Sequence, residues 1–228
     1  MSAASKLSAQ IKSGPMVVAP GAYDCITARL IEQGGFPCVY MTGAGTSAAH
    51  GLPDYGLLTM SEMVDNARRI TGAISVPLVC DSDTGYGNEL NAYRTVQEYE
   101  RAGVAAIHIE DQVFPKKCGH LDNKELVSRE DYFAKIRAAA AARRSKDFQI
   151  IARTDSRAVA GFDEAIRRAN GAVEAGADIV FVEAPQTLEE VAQVPKLVKG
   201  PCLLNMVLNG KTPLPTIPEA EAMGYRIA

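Results

Sequence analysis

The sequence predicts an α/β protein that folds as a (β/α)8, TIM-type barrel over a single domain of residues 1–228. Short apolar runs rich in β-branched residues alternate with longer helical stretches, which is typical of a parallel sheet covered by helices. Glycine closes predicted helices just before the next strand, as at Gly103 and Gly176. Polar side chains able to do chemistry follow strand after strand, and only a closed barrel gathers all of them at one mouth.

Seven strands are predicted from the apolar runs, and an eighth begins at Tyr225. They cover residues 16–20, 38–42, 76–81, 105–110, 149–153, 179–183 and 202–205. The helices predicted between them cover residues 25–33, 61–71, 89–102, 129–144, 162–175 and 188–194. A typical start signal is Ser128, which precedes Glu130 and Asp131 in a first turn. Seven or eight such units favour a closed barrel over an open sheet.

Composition argues against several classes of protein. Hydrophobic residues make up 47% and charged residues 22%, as in an ordinary globular protein, so disorder and a disulfide scaffold are poor interpretations. The net charge of -3 gives no basic footprint for nucleic acid. No apolar run is long enough to span a bilayer, and residues 1–13 lack the apolar middle of a secretory signal. We therefore predict a cytoplasmic protein with no membrane or nucleic-acid partner.

Four carboxylates follow two neighbouring predicted strands. Asp81 and Asp83 end one strand and are followed by glycines, while Glu110 and Asp111 end the next. Carboxylates packed together repel one another and shift their pKa values, and a divalent cation relieves this repulsion. Oxygen ligands suit magnesium or manganese. The alternative is a set of helix caps and solvated loop acids. Two such pairs on adjacent strands, with Arg153 on the next, favour a metal site.

A cysteine lies between two lysines and a histidine in segment 115–120, which follows the second acidic pair. Cys118 comes after Lys116 and Lys117 and before His120, so nearby positive charge is expected to favour its thiolate. Such a thiol exchanges protons near neutral pH, and the glycine after it lets the loop move. The alternative is a surface loop with an incidental cysteine. Zinc is poorly supported, because no second Cys/His pair has ligand spacing.

The segment Lys116-Lys117-Cys118-Gly119-His120 resembles the signature of the isocitrate lyase and phosphoenolpyruvate mutase superfamily. Further motifs agree with that family in order and spacing, and they lie at residues 20–24 (PGAYD), 40–45 (YMTGAG), 51–54 (GLPD), 81–87 (DSDTGYG), 108–112 (HIEDQ), 152–155 (ARTD), 183–185 (EAP) and 205–213. The resemblance covers nearly the whole chain. The mutases and phosphonopyruvate hydrolases lack this cysteine, so Cys118 indicates the lyase branch, with enzymes such as 2-methylisocitrate lyase and 2,3-dimethylmalate lyase.

The resemblance implies a magnesium-dependent carbon–carbon lyase, with manganese as a substitute ion. Such an enzyme cleaves a 2-hydroxy dicarboxylate or tricarboxylate to a 2-oxo acid and a carboxylic acid. The resemblance implies that Asp81, Asp83 and Glu110 hold the metal. It also implies that Tyr40 is the base, with a pKa lowered by the metal and an arginine, and that Cys118 protonates the carbanion.

The remaining roles are also implied by the resemblance. His120 and Lys116 would tune the cysteine thiol. The residues expected to bind substrate are Thr42, Gly43, Ala44, Arg153, Glu183, Asn205 and Thr212, and those expected to support the site from behind are Asp54, Asp111 and His108. A plain structural role is the alternative for several of them. Arg153 could form a structural ion pair, and Tyr40 could be a core aromatic.

The resemblance further implies a homotetramer whose last helix is exchanged between subunits. Family members continue through the eighth strand and into C-terminal helices, whereas this chain stops at residues 225–228, inside the predicted eighth strand. A barrel left unclosed there would expose a sheet edge. Two other functions stay open. One is decarboxylation or hydrolysis of oxaloacetate, and the other is a catalytically inactive truncated paralogue that serves as a binding subunit.

Overall fold

The computed structural model describes residues 1–119, 121 and 123–228, and within these residues seven parallel strands follow one another in chain order around a curled sheet. The strands are β1 (Gly21–Ala22), β2 (Val39–Met41), β3 (Leu78–Asp81), β4 (Ala106–Glu110), β5 (Gln149–Thr154), β6 (Ile179–Val182) and β7 (Cys202–Leu203). The helices are α1 (Ala3–Ser13), α2 (Cys25–Gln33), α3 (Gly43–Ala49), α4 (Met60–Ala73), α5 (Glu89–Arg101), α6 (Arg129–Ala142), α7 (Ser156–Ala160), α8 (Phe162–Glu174), α9 (Leu188–Leu197) and α10 (Ile217–Met223).

The register of the strands brings their carboxyl ends side by side. Each strand pairs in parallel with the next, and Asp81 of β3 stands opposite His108 of β4. Glu110, at the end of β4, stands opposite Arg153 of β5. The residues of β3, β4 and β5 are all buried, as expected for parallel strands covered on both faces. The predicted reactive residues therefore share one edge of the sheet.

The last three residues close the curled sheet. Ile227 forms parallel bridges with both Val17 and Leu203. The backbone N–H of Val17 donates to the carbonyl of Arg226 at 3.0 Å. The end of the described chain therefore lies between β7 and the segment ahead of β1. Residues 226–228 hydrogen-bond to both neighbours, so the sheet is joined at this point and the condition for an exposed edge is not met.

Apolar side chains pack on both sides of the sheet, and consecutive residues of one strand belong to different layers. Ile150 packs with the outer helices, whereas its neighbour Ile151 packs with Ile179 in a second cluster. Helix α1 contributes to that second cluster through its buried Leu7 and Ile11. The interior of the barrel is therefore a packed core rather than a pore.

Most predicted elements are confirmed, with small changes at their ends. Strands β2 to β7 and helices α2, α4, α5, α6, α8 and α9 fall where the sequence predicts them. The first strand is displaced, because residues 16–20 form only a single bridge at Val17 and β1 follows at Gly21–Ala22. The sequence prediction lacks α1, α3, α7 and α10, of which three have seven residues or fewer. No helix in the described ranges is both long and apolar enough to cross a membrane.

Candidate active site

A cavity of about 480 Å³ opens where the carboxyl ends of the strands meet. The predicted site residues that line it are Tyr40, Thr42, Gly43, Ala44, Asp54, Asp81, His108, Lys116, Cys118, Arg153, Glu183 and Asn205. Phe181, Leu204 and Met206 contribute an apolar wall. The predicted residues that are buried but do not line the cavity are Asp83, Glu110, Asp111 and Thr212. His120, predicted to tune the thiol, lies outside the described residues.

The turn after β3 positions the first acidic pair. The backbone N–H of Asp83 donates to Asp81 Oδ1 at 2.9 Å. The N–H of Glu110 donates to the carbonyl of Asp83, also at 2.9 Å. Asp83 has a positive φ of 48°, a left-handed conformation that Asp tolerates better than most residues. The turn therefore holds the three predicted metal ligands next to one another in the interior.

The three acids differ in charge state because their partners differ. Burial acts to raise the pKa of Asp81, but His108 and Lys116 outweigh it and hold that pKa well below its ordinary value. Burial and the neighbouring Asp81 raise the pKa of Asp83 to about 6. Burial raises the pKa of Glu110 well above its ordinary value, against the effect of Arg153. Asp83 and Glu110 therefore have too little positive charge around them to offset the effect of burial on their pKa values.

Lys116 supplies part of the positive charge in this cluster. Its Nζ lies 2.5 Å from Asp54 Oδ1 and 3.0 Å from Asp83 Oδ1. Asp81 and Asp83 raise the pKa of Lys116, although its burial acts the other way. The sequence predicts that Lys116 tunes the cysteine thiol, and the structure shows that its ammonium contacts these acids. Lys116 is therefore a permanent cation of the acidic cluster.

The donor chemistry of the cluster fits a hard divalent cation. Glu110 Oε2 is buried without a hydrogen-bond partner, although Arg153 Nε lies 3.3 Å away. Raised pKa values at Asp83 and Glu110 mark carboxyl groups that an added cation would ionise. Over the described part of the chain, however, no three Asp, Glu, His or Cys side chains already converge as a metal-binding group. The charge and the type of ligand thus fit magnesium or manganese. The described side chains are not, however, arranged as a finished set of metal ligands.

Tyr40 and His108 form a pair at the side of the cavity. The Tyr40 hydroxyl and His108 Nδ1 share a short hydrogen bond, and the two rings stack with centroids 6.0 Å apart. His108 Nε2 lies 2.9 Å from Asp81 Oδ1, close enough for an ion pair but outside hydrogen-bond geometry. Burial and the charge of Asp81 raise the pKa of Tyr40, and Arg153 opposes them only in part. Arg153 alone therefore does not lower this pKa, and the lowering expected with a bound metal stays a prediction.

Arg153 projects from the end of β5 among several acids. Its Nε and Nη2 donate to the two carboxylate oxygens of Asp155 at 2.9 and 3.1 Å. Its Nη2 lies 3.6 Å from Glu183 Oε2, and its guanidinium lies 5.1 Å from the ring centroid of Phe181. The ion-pair alternative for Arg153 is therefore present in the structure. Because the residue also lines the cavity, this pairing orients the guanidinium and does not remove it from the site.

The predicted substrate loop after β2 forms the start of helix α3. Thr42 caps this helix, and its Oγ1 accepts from the N–H of Gly45 at 2.7 Å. The N–H of Gly43 donates to Asp81 Oδ2 at 3.1 Å. A Cβ at position 43 would lie 2.9 Å from the Asp81 carboxyl carbon, so the close approach requires glycine. This loop is therefore fixed against the acidic cluster.

Residues 116–119, called the Cys118 segment below, lie over the cavity. Cys118 is half-buried and lines the cavity with Gly119. A Cβ at position 119 would lie 2.7 Å from side-chain atoms of Glu183 and even closer to Arg153, so a larger residue would force these side chains to shift. The Lys117 ammonium donates to the carbonyl of Asn123 at 2.6 Å. Cys118 therefore lines the same cavity as Asp81 and Arg153.

The sequence does not single out two residues that touch this site. Lys124 has a buried ammonium that contacts Asp155 and the carbonyl of Gly119. A lone lysine in a polar loop gives no signal of burial, so nothing in the sequence marks it. Phe181 stands edge-on to His108, with ring centroids 5.8 Å apart, yet a phenylalanine in an apolar strand looks like an ordinary core residue. Both depend on contacts between residues far apart in the chain.

The fold and the site define an α/β-barrel enzyme whose reactive side chains meet at the carboxyl ends of the strands. Residues 7–227 match the family model described as phosphoenolpyruvate phosphomutase. The chain therefore belongs to this family, within the superfamily that also contains isocitrate lyase, and it is an enzyme of the lyase group.

Named relatives agree with this assignment. The chain is 51% identical to 2,3-dimethylmalate lyase of Eubacterium barkeri, over 100% of the chain and 79% of the relative. It is 49% identical to 2-methylisocitrate lyase of Aeropyrum pernix, over 95% of the chain and 70% of the relative. Among solved structures, oxaloacetate acetylhydrolase bound to 3,3-difluorooxalacetate aligns with a TM-score of 0.96 at 43% identity, over 99% of this chain and 78% of that one. The 2,3-dimethylmalate lyase structure aligns with a TM-score of 0.95 at 45% identity, over 100% of this chain and 77% of that one.

Proposed function

We propose that this chain is a magnesium-dependent lyase that cleaves a carbon–carbon bond in a 2-hydroxy dicarboxylate or tricarboxylate of the alkylmalate or 2-methylisocitrate type. The observation that carries the proposal is the lining of one cavity by a tyrosine–histidine pair and by the segment that bears Cys118. Proton removal and proton delivery therefore have separate candidate groups around a single substrate volume. The names of the two similar lyases support the substrate class.

In this proposal Asp81, Asp83 and Glu110 hold magnesium, for which manganese can substitute. The bound ion supplies Lewis-acid polarisation of substrate oxygens and a positive charge beside the reacting groups. Support comes from the burial of the three acids and from the absence of a hydrogen-bond partner at Glu110 Oε2.

Tyr40 acts as the base through its hydrogen bond with His108. A neutral phenol accepts a proton only while it gives its own away. The substrate hydroxyl proton passes to Tyr40 Oη while the Tyr40 proton passes to His108 Nδ1. Asp81, 2.9 Å from His108 Nε2, stabilises the imidazolium that forms. Tyr40, His108 and Asp81 thus resemble a catalytic triad, in which a histidine takes up a proton and a carboxylate stabilises the charged histidine.

Cys118 completes the reaction by giving its proton to carbon. When the carbon–carbon bond breaks, its electron pair stays on the carbon next to the departing carboxylate, while the hydroxyl carbon becomes a 2-oxo acid. The Cys118 thiol protonates that carbanion, and His120 and Lys116 influence the thiol. The residues proposed to grip the substrate carboxylates and the leaving acid are Thr42, Gly43, Ala44, Arg153, Glu183, Asn205 and Thr212. Asp54, Asp111 and His108 support these groups.

The proposal is tested by incubating the purified protein with 2,3-dimethylmalate, 2-methylisocitrate and other 2-hydroxy diacids, with formation of pyruvate and glyoxylate as the readout. We expect a 2-oxo acid from at least one substrate, complete loss of activity after removal of metal with EDTA, and recovery with magnesium or manganese. Asp83→Asn should lose the metal response. Asp65→Asn, which alters a half-exposed acid on α4, should keep it. A protein that releases no 2-oxo acid from any of these substrates contradicts the proposal.

A second candidate is cleavage of oxaloacetate, by decarboxylation or by hydrolysis. The structural similarity to oxaloacetate acetylhydrolase favours it. Pyruvate from oxaloacetate indicates decarboxylation, and oxalate with acetate indicates hydrolysis. Absence of both, with a 2-oxo acid formed from an alkylmalate, rejects this candidate. If no substrate reacts, the remaining candidate is an inactive paralogue that serves as a binding subunit.

We also propose that the protein works in the cytoplasm and that it forms a homotetramer, as the family resemblance implies. Light scattering of the purified protein measures the assembly directly. The expected mass is four times the 24.3 kDa of one chain, and a monomeric mass contradicts the tetramer.

A further inference from the structure

A buried ion pair lies behind the cavity and has no part in the reaction described above. Lys124 Nζ is 2.7 Å from Asp155 Oδ1, and the two side chains are 1% and 0% exposed. A lysine is rarely buried to this extent unless it is paired. Asp155 follows β5 directly, two residues after Arg153, while Lys124 belongs to the segment that follows Cys118. The pair therefore joins two parts of the chain that each carry a proposed reactive group.

The ammonium of Lys124 has a second contact, and it lies on the cysteine segment. Lys124 Nζ donates to the carbonyl oxygen of Gly119 at 2.5 Å. One buried cation therefore links the residue next to Cys118 to the carboxylate of Asp155. Through the same carboxylate, the link reaches Nε and Nη2 of Arg153, at 2.9 and 3.1 Å.

Asp155 is itself held firmly in place. Its backbone N–H donates to Asp111 Oδ1 at 2.8 Å. Asp111 accepts in turn from the Thr154 hydroxyl at 2.6 Å and from Arg168 Nη1 at 3.1 Å. Every one of these side chains is buried. These bonds fix the backbone at Asp155, and its carboxylate is held in turn by Arg153 and Lys124.

The cysteine segment and the arginine are also in direct contact. The backbone at Gly119 approaches Arg153 and Glu183 so closely that a Cβ would lie 2.7 Å from the Glu183 side chain. A shift of this segment would therefore alter the space around Arg153, and a shift of Arg153 would displace the segment. Lys124 holds the Gly119 carbonyl and Asp155 holds Arg153, and Lys124 and Asp155 also pair with each other.

We propose that Lys124 and Asp155 are positioning residues that fix the Cys118 segment against Arg153, so that the thiol and the guanidinium face one bound carboxylate substrate. Lys124 sets the position of the Gly119 carbonyl, and Asp155 sets the plane of the guanidinium. The function of Arg153 in this inference rests on the proposed lyase activity. The attachment of the Cys118 segment does not, because it is a property of the folded chain.

Alkylation of Cys118 by N-ethylmaleimide tests the attachment without any substrate. A Cys25→Ser background removes the other half-buried thiol, and Cys38, Cys80 and Cys202 are buried. In this background Lys124→Met should raise the rate of Cys118 alkylation by about tenfold or more, because the segment opens locally at lower cost. Lys199→Met is the matched control, since it removes a lysine from an exposed ion pair, and its rate should be unchanged.

Steady-state kinetics test the effect on the site. Lys124→Met and Asp155→Asn should each lower kcat by roughly 10- to 100-fold, because a misplaced reactive group slows the chemical step. Lys124→Arg, which keeps the positive charge, should recover part of kcat. A role limited to fold stability would lower the unfolding midpoint and leave kcat and the alkylation rate of the folded protein unchanged. That result overturns the proposal.

A measurement on the unaltered protein keeps the test valid if a variant fails to fold. Amine acylation followed by peptide mass spectrometry should label Lys124 at least about tenfold more slowly than the exposed Lys199. Equal labelling rates show that Lys124 is not held, and they overturn the proposal. Faster Cys118 alkylation in Lys124→Met with no activity from any substrate keeps the attachment and rejects the lyase function. An active enzyme whose kinetics are unchanged in Lys124→Met keeps the lyase function and rejects the positioning role.

Discussion

At the scale of single residues, carboxyl groups a few ångströms apart have different charge states because their immediate partners differ. Asp81 faces His108 and Lys116, which keep its pKa well below the ordinary value despite burial. Asp83 is buried beside Asp81, and its pKa rises to about 6. Environments that separate the pKa values of neighbouring groups are typical of sites that do acid–base or metal chemistry.

Cys118→Ser should lower turnover by roughly 10²- to 10⁴-fold, because a serine hydroxyl is a far weaker proton donor than a thiol at this position. Steady-state kinetics measure the loss, and magnesium binding by calorimetry should be unchanged. Cys25→Ser, at the half-buried start of α2, is the control and should keep full activity. Full activity in Cys118→Ser removes the cysteine from the reaction.

Tyr40→Phe should lower kcat by roughly 10²- to 10⁴-fold and change KM less, since the hydroxyl acts in the proton transfer. His108→Gln should cause a similar loss, because the Tyr40 proton then has no acceptor. The double variant should be no slower than the poorer single variant, as expected of residues that act as a unit. Tyr93→Phe, on the exposed side of α5, controls for loss of a phenol. If the fold-losses in kcat of the two single variants multiply in the double variant, the proton relay is contradicted.

At the scale of elements, helices α6 and α8 are joined by an ion-pair network that runs from the surface to the site. Glu164 of α8 accepts from Arg129 Nε at 2.7 Å and from Arg168 Nε at 2.9 Å. Arg168 then donates to Asp111 at 3.1 Å. Hydrogen bonds from Arg129 and Arg168 outweigh burial and lower the pKa of Glu164 to about 2. The docking of α8 therefore depends on an ionised Glu164.

Glu164→Gln should lower the free energy of unfolding by about 1–3 kcal/mol at pH 7, the contribution of hydrogen bonds to a charged group. The carboxylate stabilises the fold fully above its ordinary pKa of 4.5, and this stabilisation is lost as the pH falls toward about 2. Urea unfolding at several pH values should therefore show a difference that shrinks on acidification. Glu174→Gln, in an exposed pair with Lys199, should change stability by less than about 0.5 kcal/mol. A difference independent of pH contradicts the assignment.

At the scale of the whole molecule, the ring of strands is completed by very few residues. Ile227 is fully buried and bridges Val17 on one side and Leu203 on the other. Its side chain belongs to the same apolar cluster as Leu7 and Ile11 of α1. Closure of the ring and packing of the first helix therefore depend on the same contacts.

Ile227→Ala should lower the free energy of unfolding by about 2–5 kcal/mol, because it leaves a cavity in the core where the ends of the sheet meet. Denaturant unfolding followed by circular dichroism measures the change. Ile26→Ala, whose side chain on α2 is 70% exposed, is the matched control and should change stability by less than about 0.5 kcal/mol. Equal effects of the two substitutions contradict the described role of Ile227.

The sequence by itself determined the fold class, the order of the strands and the group of side chains at their carboxyl ends. These features are local: an apolar run sets a strand, a periodic stretch sets a helix, and the residues that follow a strand lie at its tip. Asp81, Glu110 and Arg153 therefore share one edge of the sheet. The family signature around Cys118 is likewise a continuous segment.

Only the tertiary structure decided which partner each of these groups has. Closure through Ile227 and the attachment of Lys124 to Asp155 both join residues that are far apart in the chain. The raised pKa of Tyr40 likewise depends on residues that are distant in the sequence. Charge state and orientation depend on burial and on the nearest charges, and packing brings these together from many segments. A residue such as Lys124 therefore looks like a surface lysine in the sequence and becomes part of the site only in the folded barrel.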